Sequence, residues 1–125
     1  MPLIVFSLRH VATVLGCSAT DLFPLPNVTS GLNLILHSIP LERDDVIVYF
    51  NVTYGSTKKM MRHYAAERGA EALEISLQLP IVSEDDIIAQ IVRHISPRVR
   101  LVVIDHVTSN TALSLPIQQI ARAVK

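Results

Sequence analysis

Three short stretches of the sequence carry hydroxyl, amide and aromatic side chains that could hold a polar ligand. They are the loop at residues 27–33, the turn at 51–55 and the run at 105–109, which is followed at a short distance by Pro116. A Thr/Ser/Gly loop that opens a helix, such as the first stretch, offers free backbone N–H groups and hydroxyls, with the positive end of the helix dipole behind them. The chemistry that these groups suit is the binding of a phosphate.

Each stretch also has an ordinary structural interpretation. Thr29 and Ser30 stand before an apolar helical period, where such residues are common N-caps. Tyr54 follows a predicted strand and could lie over a planar heterocycle or pack under a turn. The hydroxyls of Thr108 and Ser109 could bind a ring oxygen or a substrate carboxylate, or satisfy the backbone of a turn. The local sequence leaves both interpretations open at each stretch.

Other catalytic and metal-binding arrangements find little support in the sequence. Asp105 and His106 are adjacent, so in extended structure their side chains point to opposite faces and cannot form the aligned pair of a hydrolytic triad. The five His residues include no pair one helical turn apart, and with Cys17 as the single Cys we predict no zinc site. The acidic residues 84–86 are typical of a first helical turn rather than of a metal cluster.

Helical and extended patterns alternate along the whole chain. We predict helices at 3–15, 32–39, 55–68, 83–95 and from Pro116 onward, strands at 46–50, 70–75 and 101–104, and a short extended segment at 22–25. This alternation predicts an α/β fold with a mostly parallel sheet flanked by helices. Ligands of such folds gather at the carboxyl ends of the strands, where we expect all three stretches to lie.

Composition limits the partners and the compartment. With 125 residues, half of them apolar, the chain is predicted to form one domain. Its 11 basic and 11 acidic residues are scattered, which gives no electrostatic reason to expect nucleic acid or an anionic membrane. Cys17 can form no internal disulfide, and the apolar start is cut by Arg9 far short of the roughly 20 residues of a bilayer span. We therefore predict a cytoplasmic protein.

Taken together, the three stretches resemble the class V aminotransferase family of pyridoxal phosphate-dependent enzymes. The branch that they resemble most contains the isopenicillin N epimerase-like proteins and the cysteine desulfurases. The resemblance extends from about His10 to Lys125. It implies that residues 1–125 form the N-terminal part of the large, cofactor-binding domain of such an enzyme. It also implies pyridoxal phosphate as the cofactor.

The resemblance implies roles for five residues of this sequence. Val28, Thr29 and Ser30 are expected to hold the cofactor phosphate, Tyr54 to stack on the pyridine ring, and Ser109 to lie near the ring oxygen and the substrate. The sequence departs from the family pattern at three positions, of which Asn51 and Ser109 leave the exact substrate open. Pro24 interrupts the extended segment before the phosphate loop, and Asn51 and Ser109 stand where relatives often carry His or Asn.

No residue of this sequence matches the Schiff-base lysine of the family. The resemblance places that lysine, and the acidic partner of the pyridinium nitrogen, beyond residue 125. Lys58 and Lys59 are expected on the outer surface of the helix after Tyr54, and Asp105 belongs to an earlier motif than the pyridinium partner. We therefore assign no catalytic residue and expect an incomplete domain that is inactive as written.

The resemblance implies that the complete enzyme acts on an amino acid and forms a homodimer. An alternative is a non-catalytic interaction module that pairs with an intact homologue. A further alternative is an unrelated doubly wound domain that binds another phosphorylated ligand.

Overall fold

The computed structural model describes residues 2–125 and forms an α/β structure of helices and parallel strands, as the alternating pattern predicted. Contacts between Cα atoms group the chain into two compact units, Met1–Gly31 and Leu32–Lys125. In chain order the elements of the described residues are α1 Pro2–Leu15, the short 3-10 helix η1 Ala19–Asp21, α2 Val28–Ser38, β1 Val46–Phe50, α3 Gly55–Arg68, β2 Glu71–Ile75, α4 Glu84–Val92, β3 Val99–Val103 and α5 Ile117–Ala123.

The first unit begins with α1, which ends where the sequence predicts. Gly16 follows it with φ of +67°, a left-handed conformation that glycine adopts without strain. Ser18 then caps η1 by accepting a hydrogen bond from the Thr20 N–H at 3.3 Å. The segment at 22–25 pairs with no strand, and Pro24 has no N–H to donate to one. The first motif stretch therefore follows irregular backbone, and the prediction that it lies at the end of a strand is wrong.

The second unit contains a parallel sheet of three strands in the order β2-β1-β3 within the described residues. Val46 of β1 pairs with Glu71 of β2 and with Val99 of β3. The β1/β3 register shifts by one residue after Val46, so that Tyr49 pairs with Val103. All three strands run the same way, and their carboxyl ends share one edge of the sheet, here called the carboxyl edge. The turn at 51–55 leaves this edge after β1, and the run at 105–109 leaves it after β3.

β1 lies at the centre because every residue of its Val-Ile-Val-Tyr-Phe run is apolar and buried. One face of the sheet packs on α4 and α5, in a cluster formed by Val46, Val48, Phe50, Ile75, Leu77, Ile87, Ile91, Leu115 and Ile120. The other face packs on α3, in a cluster formed by Leu36, Leu41, Ile47, Tyr49, Met61, Tyr64 and Ala65. Helices therefore cover both faces, as expected for a parallel sheet.

Local signals fix two helix ends, one at the carboxyl edge and one at the opposite edge of the sheet. Ser83 caps α4 at the carboxyl edge by accepting a hydrogen bond from the Asp86 N–H at 3.2 Å, at the start of the helix predicted at 83–95. Gly69 closes α3 with φ of +67°, and its N–H donates to the carbonyls of the last turn. Within residues 2–125, none of the helices has the length and apolar character needed to cross a membrane.

Candidate functional site

The start of α2 supplies backbone donors in the first unit. Asn27 caps this helix: its side-chain oxygen accepts from the Ser30 N–H at 2.8 Å, and its carbonyl accepts from the Gly31 N–H at 3.3 Å. The helix therefore begins at Val28, and the predicted loop already forms its first turn. No side chain of the described residues accepts from the N–H of Val28 or Thr29, and the Thr29 side chain is exposed. These groups remain available to an anion.

Gly31 leaves room for the Leu25 side chain beside the first turn of α2. A Cβ at this position would lie 3.0 Å from Cδ1 of Leu25, a distance that forces the Leu25 side chain to give way. The absence of a side chain thus allows Leu25 to pack against the turn that carries Val28 and Thr29.

The turn after β1 is tied to the end of β2. Asn51 donates its N–H to the Ile75 carbonyl at 2.8 Å, and its side-chain oxygen accepts from the Leu77 N–H at 3.0 Å. The Thr53 N–H donates to the Phe50 carbonyl at 3.0 Å. Because the backbone of the turn is held at both ends, it offers a fixed platform for the residue that follows.

That residue is Tyr54, which occupies the N-cap position of α3. Its side chain makes no capping hydrogen bond and is 50% exposed, so it is not packed under the turn. The helix begins at Gly55, where an added Cβ would meet no atom within 4 Å. An exposed aromatic ring beside an open helix start can accept a flat ligand on one face.

In the third stretch, the hydroxyls of Thr108 and Ser109 have different surroundings. Thr108 is 2% exposed, and its Oγ1 accepts from the Leu113 N–H at 2.9 Å and lies 2.6 Å from the Thr111 hydroxyl. Thr108 therefore satisfies the turn. Ser109 is exposed, and its hydroxyl has no protein partner within residues 2–125. Of the two neighbours, only Ser109 is free to contact a ligand.

Lys58 does not lie where the sequence suggested. Its side chain is only 22% exposed, and its ammonium donates to the Asn51 carbonyl at 2.9 Å and lies 3.4 Å from Glu74. The expectation of an outer-surface position is wrong for Lys58, because α3 turns this residue toward the ends of β1 and β2. It is right for Lys59, which is exposed.

Glu74 also binds Arg62, whose guanidinium lies 2.8 Å from the carboxylate and donates to the Tyr49 hydroxyl at 3.0 Å. The hydrogen bond to Tyr49, and then the charge of Glu74, raise the pKa of Arg62 above its ordinary value. This network joins α3 to β1 and β2, and it is structural.

Three buried polar atoms have no hydrogen-bond partner among the described residues: Thr53 Oγ1, Ser56 Oγ and Asp105 Oδ2. All three belong to segments that leave the carboxyl edge. Buried polar atoms are almost always paired, so each such atom requires an explanation. The sequence did not single out Thr53 or Ser56, although their position on either side of Tyr54 was a usable signal.

Residues 2–125 bring together no three His, Cys, Asp or Glu side chains in an arrangement that could hold a metal ion.

Comparison with known proteins identifies similar sequences and folds. The sequence profile of the family "Aminotransferase class-V" matches residues 8–125. The "Putative L-cysteine desulfhydrase 2" of Oryza sativa subsp. japonica is 30% identical over 125 residues, which cover 88% of this chain and 26% of the relative. The chain thus spans about a quarter of the length of that relative.

Solved structures show the same fold at lower identity. A C-DES variant with glycine covalently linked to its PLP cofactor superposes with a TM-score of 0.87 at 21% identity, over 98% of this chain and 32% of the other. The cysteine desulfurase CsdA of Escherichia coli has a TM-score of 0.82 at 14% identity, over 97% and 31% of the two chains. The fold implied by the resemblance of the three stretches is confirmed.

Proposed function

This chain belongs to the class-V aminotransferase family, and from that membership we propose that its protein binds pyridoxal phosphate and acts on an amino acid. The observation that carries the proposal is the family match, which extends from residue 8 to residue 125 and includes all three motif stretches. When bound, pyridoxal phosphate supplies an electron sink for the electrons released at Cα of an amino acid. The residues of this chain bind and orient the groups around that chemistry.

Val28, Thr29 and Ser30 are proposed to bind the phosphate. The free N–H groups of the first turn of α2, the exposed Thr29 hydroxyl and the helix dipole support this role. Ser30 donates its N–H to Asn27 and therefore offers only its hydroxyl.

Tyr54 and Ser109 are proposed to contact the ring of the cofactor. The exposed Tyr54 ring suits a flat heterocycle, and the unpaired Ser109 hydroxyl suits a ring oxygen or the substrate. The unpartnered atoms of Thr53 and Asp105 support a polar ligand at the same edge, because the fold itself does not satisfy them. The residues present therefore fit the group.

The phosphate role can be tested with pyridoxine 5′-phosphate and pyridoxine, which lack the aldehyde that reacts with surface lysines. Isothermal titration of the 125-residue chain should show tighter binding of the phosphate ester. Thr29→Ala should weaken that binding about tenfold, the effect of losing one hydrogen bond to a charged group. Ser38→Ala, at the far end of α2, is the matched control and should bind as the unsubstituted chain does. Equal affinities for the ester and for pyridoxine would refute the proposal.

Within the family, we propose cleavage of a carbon–sulfur bond of a cysteine-like amino acid. The relative of 30% identity is named an L-cysteine desulfhydrase, which supports this choice. The complete gene product, supplied with pyridoxal phosphate, should release sulfide from L-cysteine. Loss of optical activity of an amino acid without sulfide release would instead assign an epimerase. We further propose that the complete protein is cytoplasmic and homodimeric.

A non-catalytic role, in which the chain pairs with an intact homologue, is a second candidate. The observation that favours it is the exposure of the apolar side chains along α1, namely Leu3, Ile4, Val5, Phe6, Val11, Val14 and Leu15. Co-expression with an intact homologue should yield a mixed complex that survives gel filtration if this role is correct. Separate elution of the two proteins would exclude it.

A further inference from the structure

Lys58 contacts both ends of the turn that carries Tyr54. Its ammonium donates to the Asn51 carbonyl at 2.9 Å, and its backbone N–H donates to the Tyr54 carbonyl at 3.0 Å. The backbone bond opens α3, and any residue except proline could make it at this position. The bond to Asn51 requires a side chain that reaches back to residue 51 and carries a donor. Lys58 therefore closes the turn in a way that an apolar residue could not.

A second contact holds the ammonium of Lys58 at the turn. The ammonium lies 3.4 Å from the Glu74 carboxylate of β2, and the Lys58 side chain is only 22% exposed. A lysine side chain loses conformational entropy when it is fixed, so the charge of Glu74 helps to keep the ammonium on the Asn51 carbonyl. The N–H and the side-chain oxygen of Asn51 bind the backbone at Ile75 and Leu77. The first residue of the turn is thus held from both sides.

Tyr54 has no comparable restraint of its own. Its side chain makes no capping hydrogen bond and is 50% exposed. The next residue is Gly55, whose backbone is less restricted than that of other residues. The direction of the ring therefore depends on the hydrogen bonds that hold the turn. These are the bond from the Thr53 N–H to the Phe50 carbonyl on the strand side and the two bonds of Lys58 on the helix side.

Arg62 binds the same carboxylate as Lys58 but does not extend to the turn. Its guanidinium lies 2.8 Å from Glu74 and donates to the Tyr49 hydroxyl, and neither partner belongs to residues 51–55. Arg62 thus ties α3 to the sheet, whereas Lys58 also ties the start of α3 to the end of β1. Comparison of the two cations separates a contribution to stability from a contribution to the position of Tyr54.

We propose that Lys58 is a positioning residue, which holds the turn at 51–55 and thereby fixes the direction of the Tyr54 ring for stacking on the cofactor. The proposal rests on the proposed function for the identity of the stacked ligand. A ring that is ordered before binding loses less conformational freedom when the ligand arrives, which raises the affinity. Lys58 thus contributes to binding without touching the ligand.

The hold of Lys58 on the turn can be measured without a ligand. In the ¹⁵N-labelled 125-residue chain, the backbone order parameters of residues 52–55 should be about 0.85, the value of rigid backbone. In Lys58→Met, which keeps an apolar stem and removes the donor, they should fall toward about 0.6. Arg62→Met removes the other ion pair of Glu74, and Lys59→Met removes a neighbouring exposed lysine. Both are matched controls and should leave these order parameters unchanged.

A double-mutant cycle tests whether Lys58 acts through Tyr54. Lys58→Met should weaken the binding of pyridoxine 5′-phosphate about three- to tenfold, the effect of having to order one side chain on binding. In the Tyr54→Ala background, the same substitution should have no further effect, because the ring that Lys58 positions is gone. A general loss of stability would instead weaken binding equally in both backgrounds. Isothermal titration of the four chains gives the comparison.

Unchanged order parameters in Lys58→Met, or an equal loss of affinity in the two Tyr54 backgrounds, would overturn the proposal. Should Lys58→Met fail to fold, Glu74→Gln removes the charge that holds the ammonium and is judged by the same two measurements. If the unsubstituted chain does not bind the ester, the proposed function fails, and the order parameters then decide whether Lys58 holds the turn. Binding of the ester with unchanged order parameters overturns the positioning role and leaves the proposed function intact.

Discussion

Replacing Thr53 with valine should stabilise the protein, which is unusual for a substitution of a buried residue. Thr53 is 2% exposed and its Oγ1 has no partner among the described residues. Valine has nearly the same shape and keeps the β-branch, so the packing around residue 53 should change little. Removing an unpaired hydroxyl from a buried position relieves a desolvation cost of about 1–3 kcal/mol. We therefore expect the free energy of unfolding to rise by about 1–2 kcal/mol.

Thr108→Val is a closely matched control. Thr108 is also 2% exposed, but its Oγ1 accepts from the Leu113 N–H at 2.9 Å and contacts the Thr111 hydroxyl. Valine at this position would leave the Leu113 N–H without its side-chain acceptor. We expect the free energy of unfolding to fall by about 1–3 kcal/mol. The same chemical change should thus have opposite signs at two equally buried threonines.

Urea unfolding followed by far-ultraviolet circular dichroism measures both effects. The midpoint should move up for Thr53→Val and down for Thr108→Val, with the slope m unchanged in both. If Thr53→Val destabilises the chain as much as Thr108→Val does, the reasoning is refuted. Such a result would show that Oγ1 of Thr53 has a bound partner in the absence of ligand, such as a buried water.

Two further substitutions test contacts at the two ends of α3. Lys58→Met should lower the free energy of unfolding by about 1 kcal/mol, because it removes the donor to the Asn51 carbonyl and the partner of Glu74. Lys59→Met should change the free energy of unfolding by less than about 0.5 kcal/mol. If urea titrations give the same loss of stability for both lysine variants, the burial of Lys58 is contradicted. Gly69→Ala should cost about 1–2 kcal/mol, since alanine is strained at φ of +67°. Gly55→Ala, at an open position without positive φ, should not destabilise the protein. If the midpoint temperature of thermal unfolding falls equally in both glycine variants, strain at positive φ does not explain the effect at Gly69.

The sequence was most informative where the residue type alone decides the structure. The run at 46–50 is apolar at every position, so its burial on both faces could be predicted, and Gly69 marks the end of α3 because few other residues suit the left-handed region. The acidic residues 84–86 were recognised as a first helical turn, and α4 begins at Glu84. These signals are local, and they need no knowledge of the tertiary structure.

Features that depend on neighbours distant in sequence were less accessible. Asn27 rather than Thr29 caps α2, because the helix extends one turn further back than its apolar period. The half-buried position of Lys58 on α3 depends on Glu74, which belongs to β2. Likewise, no pattern reveals that Thr108 is paired and Thr53 is not, since the partner of a hydroxyl is decided only when the segments pack.

The central position of β1 has a consequence for the synthesis of the chain. Its two partner strands both come later in the sequence, and β3 ends about 50 residues after β1. At ribosomal rates of about 5–20 residues per second, the second partner is completed roughly 3–10 s after β1. During this interval a five-residue apolar segment has emerged without the strands that cover its edges. Nascent chains should therefore be most prone to aggregate, and most dependent on chaperones, between the emergence of residues 50 and 103.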